Sequence, residues 1–265
     1  MSKLIEYLTD YEAEAMERKS SFGKTDKYTT GLPGLDTYLG EGFGKPHGYE
    51  IITVFGTSGV GKSTFALNMV AREIVNGTKV GFMILEDDMP DVYLTMLQIV
   101  GHDGMNEIKK NKNVELLPRK MREGLIFFDK ILKWIEDKHN ESGIDLFLID
   151  HINFLFDNAE VTIGDKEMAA QRRFMLNLNF LTKRLKLTVI LVSHTAKGNA
   201  EGMDKIYGTS SIPQVSTKVI EVKLGEGSQM IIKAWKNRFA RRQDNPWQMN
   251  RVGLKLEESG KKLTK

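Results

Sequence analysis

Through most of the chain, short apolar runs alternate with stretches in which apolar residues recur every three or four positions. The runs predict strands at Glu50 to Phe55, Lys79 to Leu85, Asp145 to Asp150 and Thr188 to Ser193. The stretches between them predict helices at Lys62 to Asn76, stopped by Gly77, around Pro90 to Val100, at Leu125 to His139 and at Lys166 to Leu185. Strand and helix in alternation is the pattern of βαβ units, so the expected fold class is α/β with a mainly parallel sheet flanked by helices. Three further strands, Lys218 to Leu224, Gln229 to Trp235 and Gly253 to Glu257, predict a C-terminal antiparallel meander. Between Ala196 and Tyr207 the periodicity stops, which predicts a loop of about 12 residues, long enough to carry function.

Ahead of this pattern, Leu4, Ile5, Leu8, Tyr11, Ala15 and Met16 share one stripe of a helical wheel, with Glu6, Glu12, Glu14 and Glu17 around it. This amphipathic arm, residues 1–20, packs either on its own domain or on a neighbouring subunit. A polar linker at Ser20 to Lys24 leads to a globular domain expected over 28–258, and residues 259–265 read as a basic tail. The 265 residues are 41% hydrophobic and 28% charged, which excludes wholesale disorder. Apolar runs fall far short of the roughly 18 residues of a membrane span, and the acidic N-terminal stretch resembles neither a secretory signal nor a transit peptide. A cytoplasmic protein with no membrane partner is expected. The chain has no cysteine, which removes disulfides, thiolate zinc sites, iron–sulfur clusters and cysteine nucleophiles. A formal charge of +3 is too small to argue for nucleic acid from the whole chain, so any such argument is local.

Gly56-Thr57-Ser58-Gly59-Val60-Gly61-Lys62-Ser63 matches G-x-x-x-x-G-K-[ST] in full, between a predicted strand and a predicted helix. Glycines let backbone amides turn inward around phosphate oxygens, and the helix presents its positive end to the same anion. Gly56 through Thr64 is the expected nucleotide cradle, with Lys62 on the β and γ phosphates and the Ser63 hydroxyl on Mg²⁺. The cofactors implied are ATP, or another NTP or dNTP, and Mg²⁺. Asp150, closing Leu146 to Ile149, is the second expected Mg²⁺ ligand; a helix cap is its alternative role. Glu86 closes Val80 to Leu85 and is favoured to polarise water at the γ-phosphate, with Asp87 and Asp88 as competitors. His194 ends the strand Val189 to Ser193 at the same sheet edge, where it either contacts the γ-phosphate or is structural. Lys233, Lys236, Arg238, Arg241 and Arg242 form a run without acidic residues, the pattern of a solvated or phosphate-binding surface.

Taken in order, these residues resemble the RecA-like P-loop NTPase core of DnaB-type (superfamily 4) hexameric replicative helicases, especially the phage branch with Twinkle, over roughly Thr30 to Glu257. Gly31-Leu32-Pro33-Gly34-Leu35-Asp36 resembles an entry segment that these helicases share with RadA and KaiC proteins. Leu85-Glu86-Asp87 is similar to the family's catalytic glutamate, and Ile149-Asp150-His151-Ile152 to the phage branch's Walker B with its Asp-His pair. Ser193-His194 is similar to that branch's phosphate-sensing histidine. Tyr207 to Ser216 resembles the segment after the DNA-binding loop, with Tyr207 and Pro213 in place of its usual arginines. Lys236-Asn237-Arg238-Phe239 resembles the Lys-x-Arg motif that reaches into the nucleotide of a neighbouring subunit, so Lys236 and Arg238 are expected to act in trans.

The resemblance implies contacts to single-stranded DNA from Lys197, Gly198, Asn199 and Lys205, made to the backbone without reading bases. It further implies a homo-oligomeric ring, a hexamer in the family, and a phage origin that would place the protein in host cytoplasm. With no cysteines for a primase zinc module and no primase-sized segment before Thr30, a separate primase or other replisome protein is an expected partner. The expected function is NTP hydrolysis coupled to translocation on single-stranded DNA and duplex unwinding. The rivals are a RecA- or RadA-type recombination ATPase, a KaiC-like regulatory ATPase that binds no DNA, and an accessory loader acting through a separate helicase.

Overall fold

The apolar runs become strands of one sheet. The computed structural model describes residues 27–44, 48–118, 128–157, 165–196, 202–240 and 244–262. Strands β1 (Glu50–Gly56), β2 (Val80–Ile84), β3 (Val114–Leu116), β4 (Leu146–Asp150), β5 (Thr188–His194) and β6 (Lys218–Leu224) pair in parallel. β7 (Gln229–Asn237), β8 (Trp247–Val252) and β9 (Lys255–Lys262) extend the sheet antiparallel. The order across the sheet is β3-β2-β4-β5-β1-β6-β7-β8-β9. The fold class is α/β, mainly parallel with C-terminal antiparallel strands, as the hydrophobic pattern predicts.

β1, β2 and β4 are buried at every position, because helices cover both faces of a parallel sheet. Alternate strand residues feed two separate cores. Ile52, Val54, Phe82, Leu148 and Ile190 meet α1 (Pro33–Leu39), α2 (Lys62–Val75) and α3 (Met89–Asn111). Ile51, Phe55, Met83, Phe147 and Leu191 meet α4 (Phe128–Ser142), α5 (Ile152–Asp157), α6 (Asp165–Leu185) and α7 (Ser211–Val215). The parallel neighbours β2, β4, β5 and β1 all end at one edge, so residues far apart in sequence are gathered there.

Several boundaries differ from the expectation. The helix expected at Pro90 to Val100 continues to Asn111 and is interrupted at Gly101, whose φ of 71° and ψ of 179° are non-helical. Beyond the break, Met105 returns to the core. The antiparallel part has a strand more than expected, because β8 intervenes with Trp247 and Met249 buried. β9 starts at Lys255 and not Gly253, since Gly253, at φ 63°, lies in the turn from β8. Residues 259–262, read as tail, continue β9, and Ser259 Oγ donates to the Gln248 carbonyl at 2.7 Å. In the expected loop, residues 202–205 instead form a short 3₁₀ turn, Gly202–Lys205. The arm at residues 1–20 lies outside the described residues.

Candidate active site

The phosphate loop leaves β1 at Gly56 and enters α2 at Lys62. Gly61 caps that helix at φ 90°, the left-handed region that a side chain would strain. At Gly56 an added Cβ would run into the Val222 carbonyl of β6. Thr57, Ser58 and Gly59 are exposed, Val60 is buried, and Ser63 and Thr64 are half-buried. Lys62 is buried, with its Nζ donating to the Thr57 carbonyl at 2.9 Å. Burial lowers the Lys62 pKa, opposed by the charges of Asp150 and Glu86.

Asp150 ends β4, the strand beside β2, and is buried. Burial pushes its carboxyl up to about 7; the Ser63 hydrogen bond opposes this, Asp87 and Glu86 add to it, and Lys62 opposes it. Its Oδ1 is buried without a hydrogen-bond partner among the described residues. A buried, unpartnered carboxylate oxygen whose side chain is hydrogen-bonded to Ser63 fits a hard divalent cation that takes oxygen ligands. Loop, lysine, hydroxyl and carboxylate together fit a nucleotide with Mg²⁺.

Glu86 follows β2, with its side chain 52% exposed. Its Oε2 lies 2.9 Å from His151 Nε2 and 3.9 Å from His194 Nε2. Of the carboxylates of Glu86, Asp87 and Asp88, that of Glu86 reaches the histidine pair. Asp88 occupies the N-cap position of α3 without a side-chain capping bond. The pKa of Asp87 is raised by burial and then by Glu86, Asp91 and Asp88. His194 ends β5 directly opposite Gly56 of β1, and its ring meets that of His151 edge-on at a centroid distance of 4.2 Å. Both histidines are driven toward the neutral form mainly by burial, His151 to about 4, with His194 and Lys62 adding to its shift.

One polar residue here has no counterpart in the sequence expectation. Asn153, on α5, is buried, and its Oδ1 accepts from His194 N–H at 2.7 Å and from Ser193 Oγ at 3.2 Å. Its Nδ2 donates to the Tyr207 carbonyl at 3.1 Å. The signal for it is a lone amide inside the apolar segment Ile152 to Phe156. The loop that Asn153 anchors is pinched at its base, with Tyr207 N–H on the His194 carbonyl at 2.9 Å and Ala196 N–H on the Lys205 carbonyl at 2.6 Å. Lys205 is half-buried at that base, while Lys197, Gly198 and Asn199 lie outside the described residues.

Lys236 and Arg238 sit elsewhere. A bulge between Val219 and Ile220 leaves Lys236 opposite Val219 and re-aims the end of β7. Lys236 Nζ donates to the Pro213 carbonyl at 2.7 Å and to that of Gln214 at 3.2 Å; Arg238 Nη2 donates to the Gln214 carbonyl at 3.0 Å. Both cations thus rest on carbonyls of the short helix α7. Burial lowers the Lys236 pKa, and the Arg238 charge lowers it further. Arg238 N–H donates to the Thr217 carbonyl, and Thr217 N–H in turn to that of Ile51. Arg238 is therefore level with the start of β1, five residues before Gly56 and two strands away. Strand geometry puts its backbone about 19 Å from Gly56, well beyond the length of an arginine side chain.

The fold and the phosphate loop define a RecA-like P-loop ATPase domain. A family model described as "ATPase: KaiC" matches residues 28–250, and the chain belongs to that family of ATPases. RecA of Fusobacterium nucleatum is 28% identical over 240 residues, which cover 84% of this chain and 58% of that protein. RecA of Helicobacter pylori is 32% identical over 154 residues, 57% of this chain and 39% of that protein. The chain therefore spans about half the length of these curated relatives. Among solved structures, a KaiC-like protein from Pyrococcus horikoshii OT3 superposes with a TM-score of 0.66 at 19% identity, covering 86% of this chain and 96% of that one. The ATPase domain of G40P superposes with a TM-score of 0.69 at 12% identity, covering 95% of this chain and 96% of that one. At such identities the likeness is one of fold. Among the described residues no helix is long and apolar enough to cross a membrane.

Proposed function

We propose that this chain is the motor subunit of a ring-forming DNA helicase, in which NTP hydrolysis drives translocation on single-stranded DNA and strand separation. The observation that carries the reading is the position of Lys236 and Arg238. They lie too far from their own phosphate loop to act there, so the arrangement suits a site completed by the next subunit. Such a head-to-tail contact repeats into a closed ring when its rotation closes, with six subunits the expected number. Helix α6 supports assembly as well, since it presents Met168, Leu176 and Phe180 to solvent at 50%, 48% and 67% exposure. The amphipathic arm of a neighbour is a segment suited to cover them.

Bound at the loop, ATP or another NTP with Mg²⁺ supplies the γ-phosphoryl group and a cation that spreads its charge. The residues of the chain do the rest. Backbone amides at the start of α2 and Lys62 hold phosphate oxygens, and Ser63 with Asp150 holds the cation. Glu86 accepts a hydrogen bond from the attacking water and orients it in line. Arg238 and Lys236 from the neighbour stabilise the charge that develops on the transferred group, a contribution of about 10³ to 10⁵ in rate for such cations. His194, tied through Asn153 to Tyr207, is placed to pass the state of the γ-phosphate to the loop 197–205 that follows the strand.

The test is NTP hydrolysis with and without single-stranded DNA at two salt concentrations, in the wild type and Glu86→Gln. Stimulation that is strong at low salt and lost in Glu86→Gln supports the motor. Membership of the KaiC ATPase family favours a second reading, a regulatory ATPase whose turnover drives protein association. Hydrolysis unmoved by DNA at either salt would select it. A separate primase or another replisome protein remains the partner to test once DNA stimulation is seen.

A further inference from the structure

Glu86 is half exposed at a strand end, where an untethered carboxylate samples many orientations, yet its Oε2 lies 2.9 Å from Nε2 of the buried His151. Which atom carries the proton follows from the other side of the ring. The Phe154 backbone N–H, which can only donate, points at His151 Nδ1 across 3.0 Å. Nδ1 is therefore the acceptor, and the neutral ring carries its proton on Nε2, aimed at Glu86. The same tautomer argues against a metal here. Glu86, His151 and His194 bring potential ligand atoms within 4.8 Å of one another, but a metal needs the Nε2 lone pair that this proton occupies. His194, at 3.9 Å from the same carboxylate oxygen, flanks the pair without making the short contact.

We propose that His151 is a positioning residue: it donates Nε2–H to Glu86 and holds the carboxylate in the orientation that polarises the attacking water. This rests on the reading of Glu86 as the water-polarising group. It also explains why one strand end serves two tasks. Asp150, the cation ligand, and His151, the orienter, are adjacent, so cation and water are positioned from the same turn of backbone.

Two substitutions separate the two sides of the ring. His151→Asn keeps an acceptor for Phe154 N–H but falls short of Glu86, whereas His151→Gln carries an amide N–H out to the Nε2 position. The measurements are steady-state NTP hydrolysis, nucleotide affinity and thermal unfolding, with single-turnover hydrolysis in the Glu86→Gln background. For His151→Asn, kcat falls about 10- to 100-fold with nucleotide affinity and unfolding midpoint unchanged, and His151→Gln recovers most of the loss. In Glu86→Gln, adding His151→Asn causes no further loss. Wild-type kcat in His151→Asn, or an additive loss in the double variant, overturns the proposal while the role of Glu86 stands. Wild-type turnover in Glu86→Gln overturns the reading of Glu86 and the proposal with it. A Zn²⁺-dependent rise in the unfolding midpoint that His151→Asn abolishes overturns the assigned tautomer and hence the proposal.

Discussion

Replacing Asp150 by asparagine should stabilise the nucleotide-free protein at pH 8 relative to the wild type, and by much less at pH 5. Burial lifts the Asp150 carboxyl from the ordinary aspartate value of 3.8 to about 7 in the folded chain. The folded state therefore holds a proton that the unfolded chain has lost, and wild-type stability falls as pH rises through that window. Three pKa units at 1.36 kcal/mol each set a ceiling of about 4 kcal/mol. Between pH 5 and pH 8 the portion lost is about 2–3 kcal/mol, because at pH 5 the unfolded carboxyl is already mostly ionised. Asparagine does not titrate, and the cost of burying its amide is the same at both pH values. The change in the difference between the two proteins is thus the quantity to read.

For a chain of this size that change corresponds to about 5–10 °C in the unfolding midpoint. The assay is thermal unfolding in EDTA at pH 5, 6, 7 and 8 for both proteins, followed by the same series with Mg²⁺ and a non-hydrolysable nucleotide. Ligand at 100 times its Kd adds about 2.7 kcal/mol to the wild type, while Asp150→Asn, lacking the anionic ligand, gains far less. Parallel pH curves for the two proteins without ligand would refute the argument that the buried carboxylate of Asp150 is a destabilising element retained for the cation.

Other consequences are equally direct. Arg238→Ala leaves nucleotide binding within about twofold and lowers DNA-stimulated turnover by about 10³, read by nucleotide titration and steady-state hydrolysis; unchanged turnover removes the role in trans. Phe180→Glu replaces an exposed apolar side chain on α6 and weakens assembly by about 10- to 100-fold in sedimentation velocity, the equivalent of losing one buried aromatic; an unchanged distribution of species means that this face is not an interface. Asn153→Ala cuts the link from His194 to Tyr207 and lowers DNA stimulation about tenfold, with basal hydrolysis within about threefold, the scale of a typical coupling energy. An equal loss of basal and stimulated rates would make Asn153 merely structural.

Much of the candidate site's edge is legible because its residues stand at the ends of apolar runs. Glu86 follows a strand buried on both faces, Asp150 and His194 are the last residues of two more, and the topology brings those strand ends together beside the phosphate loop. What stayed hidden depends on contacts that no spacing encodes. His151 follows Asp150 in sequence, but its partnership with Glu86 becomes visible only when β2 and β4 are neighbours. Asn153 links three segments through its two amide atoms, and a single polar residue in an apolar segment does not announce its partners. β8 escapes the hydrophobic pattern because Gln248, Asn250 and Arg251 dilute the apolar signal that Trp247 and Met249 carry. β3 and α1, at three and seven residues, are too short for periodicity to register.

The claim on which the rest depends is that each catalytic site is shared between two subunits, and mixing two inactive variants tests it most directly. Lys62→Ala lacks a working phosphate loop and keeps Arg238; Arg238→Ala keeps the loop and lacks the cation. In rings formed at random from equal amounts, about a quarter of the interfaces pair an intact loop with an intact Arg238. The shared site predicts that hydrolysis, absent from either variant alone, returns on co-assembly and is greatest near equal proportions. Absence of any recovery across mixing ratios, with mixed assemblies demonstrated by mass, would contradict it.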